Sequence, residues 1–465
     1  MAGYYALLHV LIGALGNGEP VVRLPSAIAS ATTTMLVGLL AIRLFDQRVA
    51  FASGLLTAVS LPLVFWGQDA RGYASLVALV TGSFLAFMAL VDGEPHRRGG
   101  RSAWVAYAAL TTLALYMSFV AVLVVPAQLV TLLRRRRAWR AVGSALAASA
   151  ACCAPLVVLA ARRGSGQLFW VPRPSITAGK QVLEALSSSA LAPSFPTTST
   201  TAVLAGLTVV LVVGAAVSVG RGLRRSGRRG DPRARSRRRA DPRTMWGQML
   251  VLSWLAVPVA LAWLESLLGQ PIFLPRNLLI SLPAVALVLG WSVAHGRVPR
   301  RAAWSLLAAL IVLRAIQLVP SYGVSPEDWR AASGYVLARA QQRDCIAFYP
   351  SDGRMAFQYY IGDATSIGAR RAPTSVLPPV PWGEVVPYVE RYVIPSRLEL
   401  ARLPADCPRL WLVSSHRGQP DGPARSRANR ARYLVLRSEL RGDYAGGRTV
   451  AFGYASPVRV ELLTR

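Results

Sequence analysis

Residues 68–73, between two apolar runs, place an acid, an arginine and a tyrosine together in the order Gln-Asp-Ala-Arg-Gly-Tyr. A carboxylate such as that of Asp69 can accept the proton of an attacking hydroxyl group. A guanidinium such as that of Arg71 can hold an anion through two parallel hydrogen bonds. With Tyr73 beside them, these groups can orient a polar substrate at a membrane surface. The alternative is an ordinary interfacial turn with an extended arginine and a belt tyrosine.

Charged groups at two other places suit related chemistry. Arg276 is the only basic residue of the loop 265–276, where its guanidinium can grip a phosphate bidentately or simply anchor the loop. Glu19 and Arg23 stand four residues apart at the start of an apolar run. They can contact a substrate, or they can form a salt bridge that anchors a helix.

The elements that must position these residues are membrane-spanning helices. Of the 465 residues, 53% are apolar and 16% are charged, whereas about 25% are charged in a typical soluble domain. The apolar residues form runs of about 18 to 24, long enough to cross a bilayer. Fibrous, disordered and purely soluble classes are therefore excluded. We predict an α-helical polytopic membrane bundle of about ten spans, at 21–44, 49–66, 73–91, 103–116, 118–133, 139–161, 201–219, 246–264, 277–294 and 302–320.

The distribution of basic residues predicts the orientation of these spans. The net charge of +30 comes almost entirely from arginine, since Lys180 is the only lysine. One set of alternate loops carries 24 Lys and Arg, including an Arg-rich linker at 220–244, and the opposite set carries 7. The positive-inside rule places the first set in the cytoplasm. Residues 162–200 and the chain after about 320 then lie outside, and the basic excess reflects membrane topology and anionic lipids rather than nucleic acid.

The same orientation puts the segment before the first span outside, although no span precedes it. We therefore expect an upstream span to be missing from this chain. Before residue 320, only four acids face outward: Glu19, Asp69, Glu184 and Glu265. The short list limits the acids that can belong to an outward-facing site.

The composition becomes soluble after about residue 320, which predicts two domains, 1–320 in the membrane and 321–465 as a smaller extracytoplasmic α/β domain. Ser325 and Pro326 predict a helix start, and the helix should run to about Gln341. Strand-like runs follow at 345–349, 410–414 and 449–462, and helical candidates lie near 354–361, 384–391 and 424–439.

Cys345 and Cys407 stand at the heads of two strand-like runs. They can form a disulfide if those strands are neighbours; the alternative is two buried thiols. Cysteine and histidine show no zinc-binding spacing. We expect no cofactor, and the sequence leaves a divalent metal open.

Several ordered motifs resemble the GT-C superfamily of membrane glycosyltransferases, in particular the branch of protein O-mannosyltransferases and aminoarabinose transferases and their bacterial mannosyltransferase-like members. The resemblance extends over nearly the whole chain and is carried by residues 3–9, 19, 23–27, 68–73, 275–278, 327–330 and 348–350. Each motif is short, and their order and spacing carry the resemblance.

The resemblance implies a multi-pass enzyme of the cell membrane and cell envelope. Its donor would be a polyprenyl-phosphate-linked sugar, transferred with inversion on the outer side to a protein, lipid or glycan. It implies a catalytic role for Asp69 and substrate binding by Arg276, Arg71, Tyr73, Arg23, Glu19 and Tyr5. The family's usual acid lies in a first outer loop, which would precede Met1. We therefore expect weak or no transfer by this chain.

Two other classes of function are alternatives to this enzyme. A non-catalytic membrane scaffold or partner subunit would keep the fold without the base. A transporter is disfavoured because transporters usually have repeated halves and charges at the membrane midplane, and the sequence shows neither pattern.

Overall fold

The computed structural model is mainly helical, with a small sheet near the C-terminus. The structure describes residues 1–93, 98–133, 135–163, 171, 173–187, 242–296, 298–322, 325–363, 372–382, 392–422, 424–454 and 456–465, with four isolated positions between 206 and 213. The chain divides into two compact units, residues 1–166 with 173–319 and residues 167–172 with 320–465.

In the part of the chain that the structure describes, the first unit is built from helices. In chain order they are α1 (Ala2–Leu15), α2 (Glu19–Leu44), α3 (Gln47–Ala58), α4 (Leu61–Gly67), α5 (Tyr73–Asp92), α6 (Arg98–Met117), α7 (Val124–Leu132), α8 (Trp139–Cys152), α9 (Ala154–Arg163), α10 (Ile176–Leu186), α11 (Pro242–Leu268), α12 (Pro275–Leu278), α13 (Leu282–His295) and α14 (Arg300–Ser321). Single 3-10 turns lie at Phe119–Leu123, Arg136–Ala138 and Leu279–Ser281.

Local sequence signals explain where several helices begin and end. The carboxylate of Asp46 caps α3 by accepting hydrogen bonds from the backbone N–H groups of Arg48 and Val49, at 2.8 and 3.0 Å. The boundary predicted between the apolar runs 103–116 and 118–133 lies at Ser118 in the structure. This residue is extended, and its hydroxyl accepts a hydrogen bond from the N–H of Val120 at 3.4 Å.

Among the described residues, five single helices are long and apolar enough to cross a membrane. Two further pairs, α3 with α4 and α8 with α9, are bent by 56° and 46° and raise the number to seven if each pair is one span. The ten predicted spans are therefore not confirmed. The predicted span at 201–219 and most of the linker at 220–244 lie outside the described residues.

Helix α5 lies at the centre of the first unit, where α2 and α6 pack against it and most of its residues are buried. A buried polar network joins three neighbouring helices: the hydroxyl of Tyr107 donates to Oε1 of Gln128 at 2.6 Å, and Nε2 of Gln128 donates to Oγ of Ser83 at 3.4 Å. Each of these groups would be costly if left unpaired in an apolar interior. The network therefore favours one register of α5, α6 and α7.

The second unit contains a five-stranded mixed sheet with helices packed against it. Its elements are α15 (Trp329–Arg339), β1 (Cys345–Tyr349), α16 (Gly353–Asp363), β2 (Thr374–Leu377), α17 (Arg397–Asp406), β3 (Arg409–Ser414), α18 (Ala424–Asp443), β4 (Ala445–Phe452) and β5 (Val458–Thr464). The strand order is β2-β1-β3-β5-β4; β1 is parallel to β2 and β3, and β5 is antiparallel to β3 and β4.

Two predictions for this unit were wrong in detail. Asp328, not Ser325, caps the first helix, because its carboxylate accepts a hydrogen bond from the N–H of Ala331 at 2.9 Å. The run 449–462 is not one strand; it turns at Gly453, where φ is +105°, and continues as β5. The helix predicted at 384–391 lies outside the described residues.

Two acids are buried in the second unit with several donors around them. The carboxylate of Asp344 accepts hydrogen bonds from Nε of Arg409 and Nε1 of Trp411, both at 2.8 Å. The carboxylate of Glu461 on β5 accepts hydrogen bonds from the guanidinium groups of Arg437 and Arg441 on α18. These ion pairs attach helices and loops to the sheet at fixed positions.

The sequence left open whether Cys345 and Cys407 pair or remain two buried thiols, and the structure shows that they pair. The two residues form a disulfide with a Cα–Cα distance of 5.6 Å, and the strands that they precede or begin, β3 and β1, are parallel neighbours.

We expect this disulfide to be detectable by counting thiols. In protein purified without reductant and unfolded in detergent, a maleimide reagent should label two cysteines, the free Cys152 and Cys153. After reduction it should label four. The double variant Cys152→Ser/Cys153→Ser is the control, with no label before reduction and two afterwards. Four reactive thiols in unreduced protein would contradict the pairing.

Candidate functional site

The turn between α4 and α5 presents the side chains of Asp69 and Arg71. Its backbone closes through short hydrogen bonds from the N–H of Arg71 to the carbonyl of Asp69, at 2.8 Å, and from the N–H of Tyr73 to the carbonyl of Arg71, at 2.9 Å. Nε of Arg71 lies 3.7 Å from the carboxylate of Asp69, and the two side chains are 50% and 36% exposed. The carboxylate is therefore accessible while it is held beside a positive charge.

The first two helices, α1 and α2, support this turn through a chain of hydrogen bonds. The hydroxyl of Ser26 on α2 donates to the backbone carbonyl of Arg71 at 3.1 Å. The buried hydroxyl of Tyr4 on α1 lies 2.9 Å from Oγ of Ser26 and 3.3 Å from the carbonyl oxygen of Val22. Gly72 leaves room for Tyr4, because a Cβ atom added at Gly72 would lie 3.1 Å from Cβ of Tyr4.

Arg276 reaches the same place from a distant part of the chain. Its guanidinium carbon lies 5.8 Å from the ring centroid of Tyr73, over the ring, and it interacts electrostatically with Arg71 and Asp69. The ring of Tyr73 in turn packs on that of Trp66, with centroids 4.5 Å apart. The structure therefore brings together four of the predicted site residues, with two positive charges near one carboxylate.

The loop that carries Arg276 is held by side-chain hydrogen bonds. The hydroxyl of Ser266 on α11 accepts from the N–H groups of Ile272 and Phe273, at 2.8 and 2.7 Å. The amide of Asn277 donates to the carbonyl of Ile272 at 2.8 Å. These bonds set the direction in which the short helix α12 points Arg276.

The remaining predicted residues lie on the first two helices. Glu19 and Arg23 form an ion pair of 3.2 Å, one turn apart on α2, which is the helix anchor that the sequence left open. Tyr5 is 53% exposed and packs edge-on against Tyr4, with ring centroids 6.0 Å apart. Arg23 lies between Val22 and Ser26, the two residues that contact the hydroxyl of Tyr4.

The described residues contain no group of three or more His, Cys, Asp or Glu side chains arranged to hold a metal ion. In the second unit, the two motif segments 327–330 and 348–350 contribute to one apolar cluster, which contains Phe348 and has Trp329 packed against it. Glu327 there accepts a hydrogen bond from Nε1 of Trp329 at 3.1 Å and pairs with His416 at 3.0 Å.

Comparison with known families gives a match over the first third of the chain. Residues 2–160 match the dolichyl-phosphate-mannose-protein mannosyltransferase family. The predicted resemblance to the GT-C superfamily is confirmed. With its apolar helices, this makes the chain a multi-pass membrane protein. Six of the seven predicted site residues lie in the matched segment, namely Tyr5, Glu19, Arg23, Asp69, Arg71 and Tyr73; Arg276 lies beyond it.

Two solved structures are similar over most of the chain. They are crystal structures of ArnT from Cupriavidus metallidurans, one in the apo state and one bound to undecaprenyl phosphate, with TM-scores of 0.41 and 0.42. Each is 14% identical, and each comparison covers 98% of this chain and 87% of the ArnT chain. None of the curated proteins matches this chain.

Sequence reasoning assigned no role to Tyr4, Ser26 or Trp66, although all three hold the site together. Tyr4 and Ser26 fall inside the short motifs that carried the GT-C resemblance, and this was the available signal. Their contacts with each other and with the carbonyl of Arg71 join residues far apart in the chain, so no local pattern could reveal them.

A bulky residue at Gly72 should destabilise the support of this turn. We expect Gly72→Leu to lower the thermal midpoint of the detergent-solubilised protein, because overpacking typically costs about 1–3 kcal/mol. Gly13→Leu on α1 is the matched control, since a Cβ at Gly13 would meet nothing within 4 Å. Equal midpoints for the two variants would show that Tyr4 does not constrain the turn.

Proposed function

We propose that this chain is a membrane glycosyltransferase that transfers a sugar, mannose or another hexose, from a polyprenyl-phosphate donor to an extracytoplasmic acceptor. The observation that carries the proposal is the convergence of Asp69, Arg71 and Arg276 at one end of α5. Two of these residues lie inside the segment that matches the mannosyltransferase family. The acceptor would be a glycan, a lipid or a protein.

The two arginines suit the departing group of this reaction. When the bond between the sugar C1 atom and the phosphate oxygen breaks, its electrons go to the polyprenyl phosphate, which leaves as a dianion. A fixed guanidinium at the edge of the bilayer stabilises that charge more strongly than it would in bulk water. Arg276 is half-buried over the ring of Tyr73 and interacts electrostatically with Arg71, so the two can share one phosphate.

The carboxylate of Asp69 suits the other half of the reaction. The acceptor hydroxyl forms the new bond to C1 on the face opposite the phosphate, which inverts the configuration, and its proton passes to Asp69. A free hydroxyl has a high pKa, so a carboxylate aligned on it contributes about 10²- to 10⁴-fold in rate. Arg71 is close enough to Asp69 to orient the carboxylate as well as to approach the phosphate.

Two features support a site on the outer side of the membrane. The alternate loops carry 24 basic residues on one side and 7 on the other, and the turn with Asp69 belongs to the second set. The disulfide between Cys345 and Cys407 favours an oxidising compartment for the C-terminal unit.

Substitution at the site tests the proposal directly. We expect Arg276→Ala to lower transfer by about 10²- to 10³-fold, as is typical when one charge-stabilising donor is removed. Asp69→Asn should lower it by about 10²-fold or more because the base is lost. Because the sequence leads us to expect weak transfer by this chain, the assay follows labelled mannose from polyprenyl-phosphate mannose over long incubations. The membranes contain equal amounts of each protein, and each variant is compared with the unmodified protein.

Two variants serve as matched controls. Arg301→Ala removes an exposed arginine at the start of α14, and Asp92→Asn removes an exposed acid at the other end of α5. Both should retain the rate of the unmodified protein. If Arg276→Ala and Asp69→Asn were also fully active, these residues would be removed from the site. If no variant and no unmodified protein transferred sugar while folding normally, the scaffold alternative would be favoured.

The orientation has a separate test. Alkaline phosphatase fused after residue 330 should be active, because that enzyme folds only outside the cytoplasm, where its own disulfides form. A fusion within the Arg-rich linker, after residue 230, is the control and should be inactive. The reverse pattern would overturn the topology and with it the outer location of the site.

A further inference from the structure

A buried arginine lies in the last helix of the first unit. Arg314 on α14 is 2% exposed, although α14 is one of the five helices long and apolar enough to span the membrane. It lies within the predicted span 302–320, although no midplane charge was predicted in any span. A charged side chain in such a position is costly unless it is paired, and it usually marks a functional or structural constraint.

The partner of Arg314 is the end of a helix. Its Nη2 donates a hydrogen bond of 2.6 Å to the backbone carbonyl of Ser187, the residue that terminates α10. Among the described residues, Arg314 makes no ion pair with a carboxylate, and its Nε has no hydrogen-bond partner. A helix C-terminus carries unpaired carbonyls and a partial negative charge, so a cation there is favourable. The guanidinium thus caps α10.

Helix α10 packs against the loop that carries Arg276. It contacts α12, which contains Arg276, and the following turn Leu279–Ser281. Its residues Val182 and Leu186 are buried in the main apolar core. A shift at the C-terminal end of α10 therefore reaches α12 through direct packing.

We infer that Arg314 is a positioning residue: by holding the C-terminus of α10, it fixes α12 and keeps the guanidinium of Arg276 over Tyr73. The consequence for sugar transfer depends on the function proposed above, whereas the mechanical link between Arg314 and α12 does not. Arg314 does not contact the reacting atoms in this arrangement. Instead, Arg314 positions Arg276, which would contact them.

Hydrogen exchange in the full-length, detergent-solubilised protein tests the mechanical link. Loss of a hydrogen bond to a charged group should raise the exchange rate of the amides that it protects by about 10-fold or more. In Arg314→Gln we expect this increase in peptides covering 176–187 and also in peptides covering 275–281. Arg301→Gln, which changes an exposed arginine of the same helix, should leave both regions unchanged.

Two results would overturn the inference. One is unchanged exchange in both regions, and the other is faster exchange at 176–187 alone, which would mean that α10 does not hold α12. If Arg314→Gln does not fold, Arg314→Lys decides the matter. It keeps the charge but has a shorter, non-planar donor group, so it should give a smaller increase in the same two regions. No increase in either region would reject the inference.

A transfer assay adds a readout that a general loss of stability would not reproduce. If Arg314 acts through Arg276, the double variant Arg314→Gln/Arg276→Ala should be no slower than Arg276→Ala alone. Multiplied losses in the double variant would show that the two arginines act independently. If the unmodified protein transfers no sugar, the proposed function fails, and the exchange experiment still decides the role of Arg314.

Discussion

A charge cannot remain in hydrocarbon without a partner, and this constraint organises the whole chain. It gathers the arginines into the connections between apolar runs, where they also determine orientation. It also confines accessible carboxylates to the ends of helices, and for this reason Asp69 and Arg71 are found together at a turn. Arg314 follows the same rule within a span, because its buried guanidinium donates a hydrogen bond to a backbone carbonyl at the C-terminal end of α10.

The predictions that succeeded rest on patterns that extend over many residues or on strong local signals. Apolar runs of spanning length located α2, α5 and α13, and the polar break at Ser118 located the end of α6. The continuously apolar, strand-like run 345–349 located β1. The bend between α3 and α4 was missed, because two short helices that meet at 56° have the same apolar composition as one straight span. The start of α15 was misplaced because Ser325 and Asp328 are both good helix caps. Hydrogen bonds between the backbone of Pro326 and Asp328 and that of residues 452–456 accompany the cap at Asp328.

The site was predictable to the extent that its residues are themselves chemically distinctive. Asp69, Arg71, Tyr73 and Arg276 were identified by type and position, and the structure brings them together. The residues that hold them were not, since Tyr4 and Ser26 are ordinary side chains whose roles come from contacts between α1, α2 and the turn. Arg314 was missed for a different reason. One arginine hardly changes the average apolar character of a helix of 22 residues, and its partner is a backbone carbonyl that has no signature in the sequence.

The cross-link between Cys345 and Cys407 also constrains the C-terminal unit when it is unfolded. It closes a loop across a sequence separation of 62 residues, and the described part of this loop contains β2 and the helices α16 and α17. Chain statistics attribute about 4 kcal/mol to closing a loop of this size, because the open chain samples many more conformations than the closed one. The cross-link holds the beginning of β1 close to the beginning of β3. Without it, these two parallel strands would be separated by the whole length of that loop. Strands β1 and β3 can then pair residue by residue, starting from the cross-link. We therefore expect oxidation to precede, and to accelerate, the folding of the C-terminal unit.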